Sequence, residues 1–113
     1  TSEVVNLDFI YSGLNNNFPL IALTQLIGNY PNPFNPTTVI RFSLDTAKKV
    51  KLEIFNVKGA KVKTIINEKL DAGDHQVLWD GTNQMNHQVA SGIYFYKMTA
   101  GNYEKINKML LLK

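Results

Sequence analysis

From residue 37 onward, apolar side chains recur at every second position, a period that only an extended strand gathers onto one buried face. In Thr38–Leu44, the side chains of Ile40, Phe42 and Leu44 share a face while Arg41 and Ser43 point away. Val50, Leu52 and Ile54 then alternate with Lys51 and Glu53 up to Asn56-Val57-Lys58-Gly59, where the glycine supplies the positive φ of a hairpin connection. Residues 60–66 follow, with Lys61 and Lys63 flanking Val62, and after Asp71-Ala72-Gly73 residues 75–80 place Val77 and Trp79 on one side. The polar loop 81–88 leads to Ser91-Gly92 and the run Ile93-Tyr94-Phe95-Tyr96-Lys97-Met98, and Ala100-Gly101-Asn102 makes the last turn. In the final strand, residues 103–112, Ile106, Lys108, Leu110 and Leu112 lie on one face and Asn107, Met109 and Leu111 on the other. Six strands between short Gly/Asn/Asp turns, with no capped helical period, predict an antiparallel all-β domain in two layers. Its core is expected to include Ile40, Phe42, Leu44, Leu52, Ile54, Val77, Trp79 and Leu110. Residues 4–11 have the composition of a seventh strand, residues 13–17 read as a flexible break, and residues 18–28 are apolar without a pattern.

At 113 residues the chain is sized for one domain. Surface scaling gives roughly 6,300 Å² folded against roughly 18,600 Å² unfolded, so about two thirds is buried and a core forms without staples. The absence of cysteine excludes a disulfide framework, a thiolate metal site and a cysteine nucleophile, and leaves the compartment open. With two histidines and no phosphate loop, a non-catalytic protein without cofactor is expected. Charge is uneven: residues 1–40 carry −2, residues 41–70 carry +5 and residues 71–113 are neutral. A basic middle can attract nucleic acid, but one arginine among twelve basic residues is poor equipment for bidentate readout. Lysines alternating with apolar residues read instead as the wet face of a sheet, and no nucleic-acid partner is expected. No apolar run approaches the roughly 18 residues of a membrane span, and the N-terminus lacks the pattern of a signal peptide. A start at Thr1 rather than methionine reads as a piece of a longer polypeptide, with residues 1–25 the end of a preceding region or linker.

The most unusual segment is Asn29-Tyr30-Pro31-Asn32-Pro33-Phe34-Asn35-Pro36-Thr37-Thr38, which holds every proline but Pro19. Fixed φ angles and missing N–H donors keep it out of helices and central strands. Tyr30 and Phe34 are expected to anchor it on the sandwich as an ordered, extended lead-in, rather than leaving it a free proline-rich ligand. Elsewhere turn chemistry outweighs site chemistry. Asp80, Asn83 and Asn86 do not have the spacing of a calcium loop. His75 and His87 have no neighbouring cysteine or carboxylate triad, and Ser91 lacks a nucleophile-elbow context. Tyr94, Phe95 and Tyr96 can stack on sugars, but such a run more often packs on both sides of a strand.

The opening Tyr30-Pro31-Asn32-Pro33-Phe34-Asn35-Pro36-Thr37-Thr38 closely resembles that of the type A C-terminal sorting domain of the type IX secretion system. Later landmarks match in order: Ile54-Phe55-Asn56 with Gly59, Ala72-Gly73-Asp74-His75, Trp79-Asp80-Gly81-Thr82-Asn83, Ser91-Gly92-Ile93-Tyr94-Phe95-Tyr96 and the closing Lys108-Met109-Leu110-Leu111-Leu112-Lys113. The resemblance covers roughly residues 26–113; Gly28 departs from it, standing where members more often carry a polar residue. The related immunoglobulin-like domain of flagellar hook-capping proteins shares the sandwich but does not require the terminal Lys-Met-Leu-Leu-Leu-Lys. The resemblance implies an immunoglobulin-like β-sandwich of about seven strands that serves as a sorting signal. Its partners would be an outer-membrane translocon, a sortase-like peptidase at the cell surface, and a cargo domain N-terminal to it. Cleavage would fall near residues 12–29, and Lys108 to Lys113 would form the address, with a receptor pairing along the strand edge and reading the lysines. The alternative is a carbohydrate-binding or adhesive sandwich on a surface enzyme, which needs exposed aromatics, Trp79 first among them.

Overall fold

The computed structural model describes residues 23–113. Within them the alternating segments become seven strands: β1 (Gln25–Tyr30), β2 (Thr38–Leu44), β3 (Lys48–Asn56), β4 (Lys61–Leu70), β5 (Gly73–Trp79), β6 (Gly92–Ala100) and β7 (Tyr103–Leu111). They form two antiparallel sheets, β1-β2-β5 and β4-β3-β6-β7, and no helix occurs among the described residues. The result is the two-layer antiparallel all-β sandwich expected from the alternation, of the immunoglobulin-like kind that the resemblance implies.

Local chemistry sets the hairpins. Between β3 and β4, the Asn56 side chain accepts from the N–H groups of Lys58 (2.9 Å) and Ala60 (3.0 Å), and Gly59 takes φ +82°. A side-chain turn followed by a left-handed residue reverses the chain without strain. Gly101, φ +59°, does the same between β6 and β7. The short passage from β4 to β5 crosses between sheets, and the loop after β5 crosses back.

The inner faces meet in one core. Ile40, Phe42 and Leu44 of β2 and Val50, Leu52 and Ile54 of β3 are buried, as their period requires. Leu26, Phe34, Trp79, Tyr94, Tyr96, Met98, Ala100, Met109 and Leu111 complete it, with Val77 half-buried against it. Each such large side chain withdrawn from water stabilises the fold by about 1.5–3 kcal/mol, before conformational entropy is subtracted.

Two sequence expectations are corrected or displaced here. Leu110, expected in the core, is only half-buried, whereas Met109 and Leu111 face inward. The register decides this: Met109 pairs with inward Tyr94, and Leu110 pairs with outward Ile93. The seventh strand is β1, in a stretch that showed no alternation; the segment 4–11 lies outside the described residues. A bulge between Leu26 and Gly28 against β2 breaks the period of two, so β1 had no pattern to read.

Candidate functional site

The opening segment and the C-terminal strand, far apart in the chain, lie side by side. The Phe34 N–H donates to the Leu110 carbonyl at 3.0 Å and the Leu112 N–H donates to the Phe34 carbonyl at 2.9 Å, a parallel bridge centred on Leu111. Asn32 extends it through its side chain, accepting from the Leu110 N–H at 3.0 Å and donating to the Lys108 carbonyl at 3.4 Å. Prolines cannot donate to a ladder, so one residue with a free N–H and one side-chain amide do the pairing.

The other side of the segment is tied to the opposite sheet. The buried Thr38 hydroxyl donates to the Pro31 carbonyl at 2.8 Å and accepts from the Asn29 amide at 3.1 Å. Asn29 in turn accepts from the Tyr96 hydroxyl at 2.9 Å, across the sandwich. Burial raises the Tyr96 pKa, which keeps the phenol neutral as the donor in this bond. The segment therefore staples the two sheets together at one pole.

Beneath the staple three sequence landmarks meet. Phe34 is 2% exposed and its ring lies 5.6 Å from that of Trp79, which makes an edge contact with Tyr94 at 5.4 Å. Trp79 is 1% exposed, and its indole N–H donates to the Thr82 carbonyl at 2.9 Å. Phe34 is thus the anchor that the sequence predicted. Tyr30 is not: it ends β1 opposite Val39 on the outer face and is 79% exposed. Pro31, Asn32, Pro33, Asn35 and Pro36 are exposed around the buried ring.

Of the terminal residues, Met109 and Leu111 belong to the core, Leu110 is half-buried, and Lys108, Leu112 and Lys113 reach solvent. Along this edge, where a receptor was expected to pair, the Lys108 carbonyl, the Leu110 N–H and carbonyl and the Leu112 N–H are already bonded to Asn32 and Phe34. What the pole offers a partner is side chains on a strand held in place.

The turn after β5 completes the pole. Asp80 accepts from both the backbone N–H and the hydroxyl of buried Thr82, while Lys63 donates to that hydroxyl at 2.9 Å. Asn83 accepts from the N–H groups of Met85 and His87, so these oxygens serve the turn. A Cβ on Gly81, φ +76°, would meet the Pro36 carbonyl at 3.0 Å. Asn29 and Gly81 are the contributors that sequence reasoning missed; the only signals were the place of Asn29 at the head of the proline-rich segment and of Gly81 inside a matched motif. His75 stacks on Phe42 and its ring lies 2.7 Å from the Asp71 carbonyl, while His87 and Ser91 are exposed loop residues. Among the described residues no group of three His, Asp or Glu is placed to hold a metal ion, and no helix is long and apolar enough to cross a membrane.

Asp80→Ala is expected to lower stability by about 1–3 kcal/mol, since it leaves buried Thr82 donors unpaired. The Thr82 hydroxyl holds the Asp80 carboxyl below its usual range, and a hydrogen bond from Lys48 does the same, more strongly, for Asp45. A depressed folded pKa contributes stability that is present above the unfolded value of about 3.9 and is lost as pH falls through the folded one. Melting temperature should therefore fall as the pH drops below about 4. Asp80→Asn should flatten that acid limb; an unchanged pH profile would show that the carboxylate contributes nothing.

The fold and the staple define an immunoglobulin-like sandwich whose closing strand is pinned by its own opening segment. The chain belongs to the FlgD Ig-like domain family, whose match spans residues 33–104, more than half of its length. That match ends before the terminal Lys-Met-Leu-Leu-Leu-Lys. No curated protein matches the chain. Among solved structures, dimeric latent PorU from Porphyromonas gingivalis is similar at 18% identity and a TM-score of 0.66, over 80% of this chain and 9% of PorU. PorZ, an essential bacterial surface component of the type IX secretion system of the same organism, is similar at 18% identity and a TM-score of 0.54, over 75% of this chain and 11% of PorZ. FlgD from P. aeruginosa is similar at 18% identity and a TM-score of 0.53, over 77% of this chain and 74% of that one. The chain thus corresponds to about a tenth of PorU and of PorZ, and these likenesses are likenesses of fold.

Proposed function

We propose that this chain is the non-catalytic sorting module of an exported cargo protein, directed through the type IX secretion system to the cell surface and removed there by a sortase-like peptidase. The observation that carries the proposal is the staple. The opening motif and the terminal motif, the two parts most specific to the sorting-domain resemblance, are bonded to each other by Asn32 and Phe34. A translocon component would meet Lys108 and Leu112, with Lys113 beside them, on a backbone already held in place, so little chain entropy is lost on recognition. The shared fold with a domain of PorZ supports the same route. The cargo domain would precede residues 1–25. Within the expected cleavage window of 12–29, residues 25–29 belong to β1, which favours a scissile bond before it; residues 12–22 lie outside the described residues. The carbohydrate-binding alternative lacks its main requirement, because Trp79 is buried.

The test is to fuse the full 113-residue chain behind a signal peptide and reporter in a host with this secretion route. Deleting residues 110–113 would remove Leu111 from the core and confound sorting with folding. The informative variants are Lys108→Glu, Leu112→Ser and deletion of Lys113, all at solvent-exposed side chains. At least one is expected to cut surface delivery by about tenfold while the purified domain melts within a few degrees of the parent, as surface changes usually do. If all deliver like the parent, or if delivery is lost only with unfolding, the terminal address is wrong.

A further inference from the structure

The outer face of the four-stranded sheet carries a second surface, which adjoins the stapled pole at Lys108. Register sets Phe55 of β3 beside Phe95 of β6, and Phe95 beside Lys108 of β7. On the other flank Lys61 pairs with Phe55, and one step along, Lys97 pairs with Ile106. Phe55, Phe95 and Ile106, with Val57 and Gly59 of the neighbouring turn, line an open groove of about 420 Å³. A solvated sheet face is ordinarily polar in alternation with its buried side, and here Ile106 is 53% exposed beside two half-buried phenylalanines. A contiguous apolar patch with a polar rim is the mark of an interaction surface.

The rim is of one sign. Lys51, Lys61, Lys97 and Lys108 all project on this face, whereas its acids are Glu53 and Glu104. Glu53 is already engaged by Lys51 at 3.7 Å and Lys61 at 3.4 Å, and Glu104 by Lys97 at 3.9 Å. The face therefore carries an excess of positive charge around an apolar centre. A partner complementary to it must bring apolar side chains to the middle and carboxylates to the edge.

We propose that the outer face of β3, β6 and β7 docks an extended, acidic and apolar polypeptide segment of a partner protein, its apolar side chains in the Phe55–Phe95–Ile106 groove and its carboxylates on Lys97 and Lys108. A nucleic acid would use the lysines and leave Phe55, Phe95, Val57 and Ile106 of the groove unmatched. The surface shares Lys108 with the terminal address and is otherwise separate from it; peptide binding reads the one and surface delivery the other, and Leu112→Ser and deletion of Lys113 test the address alone.

The probe is a synthetic peptide, acetyl-Glu-Glu-Phe-Val-Phe-Glu-Glu-amide, titrated into the isotope-labelled full chain and followed residue by residue by NMR. Its counterpart with lysine for every glutamate is the control. The acidic peptide is expected to shift the amides of Phe55, Phe95 and Ile106 saturably, to bind at least about tenfold more tightly than the lysine peptide, and to weaken as salt rises. Phe95→Thr, which keeps a strand-compatible side chain, and the double change Lys97→Glu with Lys108→Glu should each weaken binding by about tenfold or more. The charge changes leave Phe55, Phe95 and Ile106 in place, and a thermal melt of every variant beside the parent checks that it folds. Shifts confined to another face, equal binding by the lysine peptide, or tighter binding of a single-stranded oligonucleotide at the same amides would overturn the proposal. So would tighter peptide binding after deletion of residues 1–22, which would make the chain's own acidic segment the occupant. Concentration-dependent dimerisation that moves the same amides would assign the face to a second copy and overturn it equally.

Discussion

Phe34→Ala is expected to be among the most damaging single substitutions in the chain, and Tyr30→Ala, four residues away in the same motif, nearly silent. The Phe34 ring is buried against Trp79, so its removal leaves a cavity where the two sheets and the terminal strand converge. Phenylalanine-to-alanine changes in such positions cost about 3–5 kcal/mol. For a domain of this size that is a fall in melting temperature on the order of 15–30 °C. Tyr30 stands in solvent at the end of β1, and its loss should stay within about 0.5 kcal/mol. Thermal melts of the two variants beside the parent decide the matter. Equal effects would mean that the motif acts through its backbone alone.

Leu111→Ala should cost about 2–5 kcal/mol, read as a lower urea midpoint at unchanged slope, because its side chain is fully buried between the sheets and beneath Gly81. Leu110→Ala, one residue away and half-exposed, should cost about 1 kcal/mol. The ratio tests the register directly. If Leu110 were the costlier, β7 would be paired one residue out of step and the whole inward set would be reversed. Under the proposed sorting role the same contrast separates two effects: a delivery defect from Leu111 would report folding, and one from Leu112 or Lys113 recognition.

Much of the architecture was legible before any coordinates. Strands β2, β3 and β5 face the core on one side only, so Ile40, Phe42, Leu44, Leu52 and Ile54 alternate with polar residues and identify themselves as core. Turns were legible because Asn56-Val57-Lys58-Gly59 and Ala100-Gly101-Asn102 carry residues that tolerate positive φ at the right places. The resemblance of the motifs pointed correctly to an immunoglobulin-like sandwich. It also drew attention to the segment that became the staple.

Three features were decided only by tertiary structure. Strand β7 is apolar on both faces because one side meets the core and the other borders the outer groove, so its period could not say whether Leu110 or Leu111 turns inward; pairing of Met109 with Tyr94 did. Tyr30 and Phe34 looked equivalent as aromatic neighbours of proline, but Tyr30 ends a strand on its outward parity while Phe34 turns under the pole onto Trp79. The free edge expected at the terminus was closed by Asn32 and Phe34, a contact between residues more than seventy positions apart. Sequence by itself determined which segments extend, where they reverse and which residues avoid water, because those follow from local dihedral preference and a period of two. It did not determine which strand covers which, because that depends on the pairing of distant segments and the shape of the core between them.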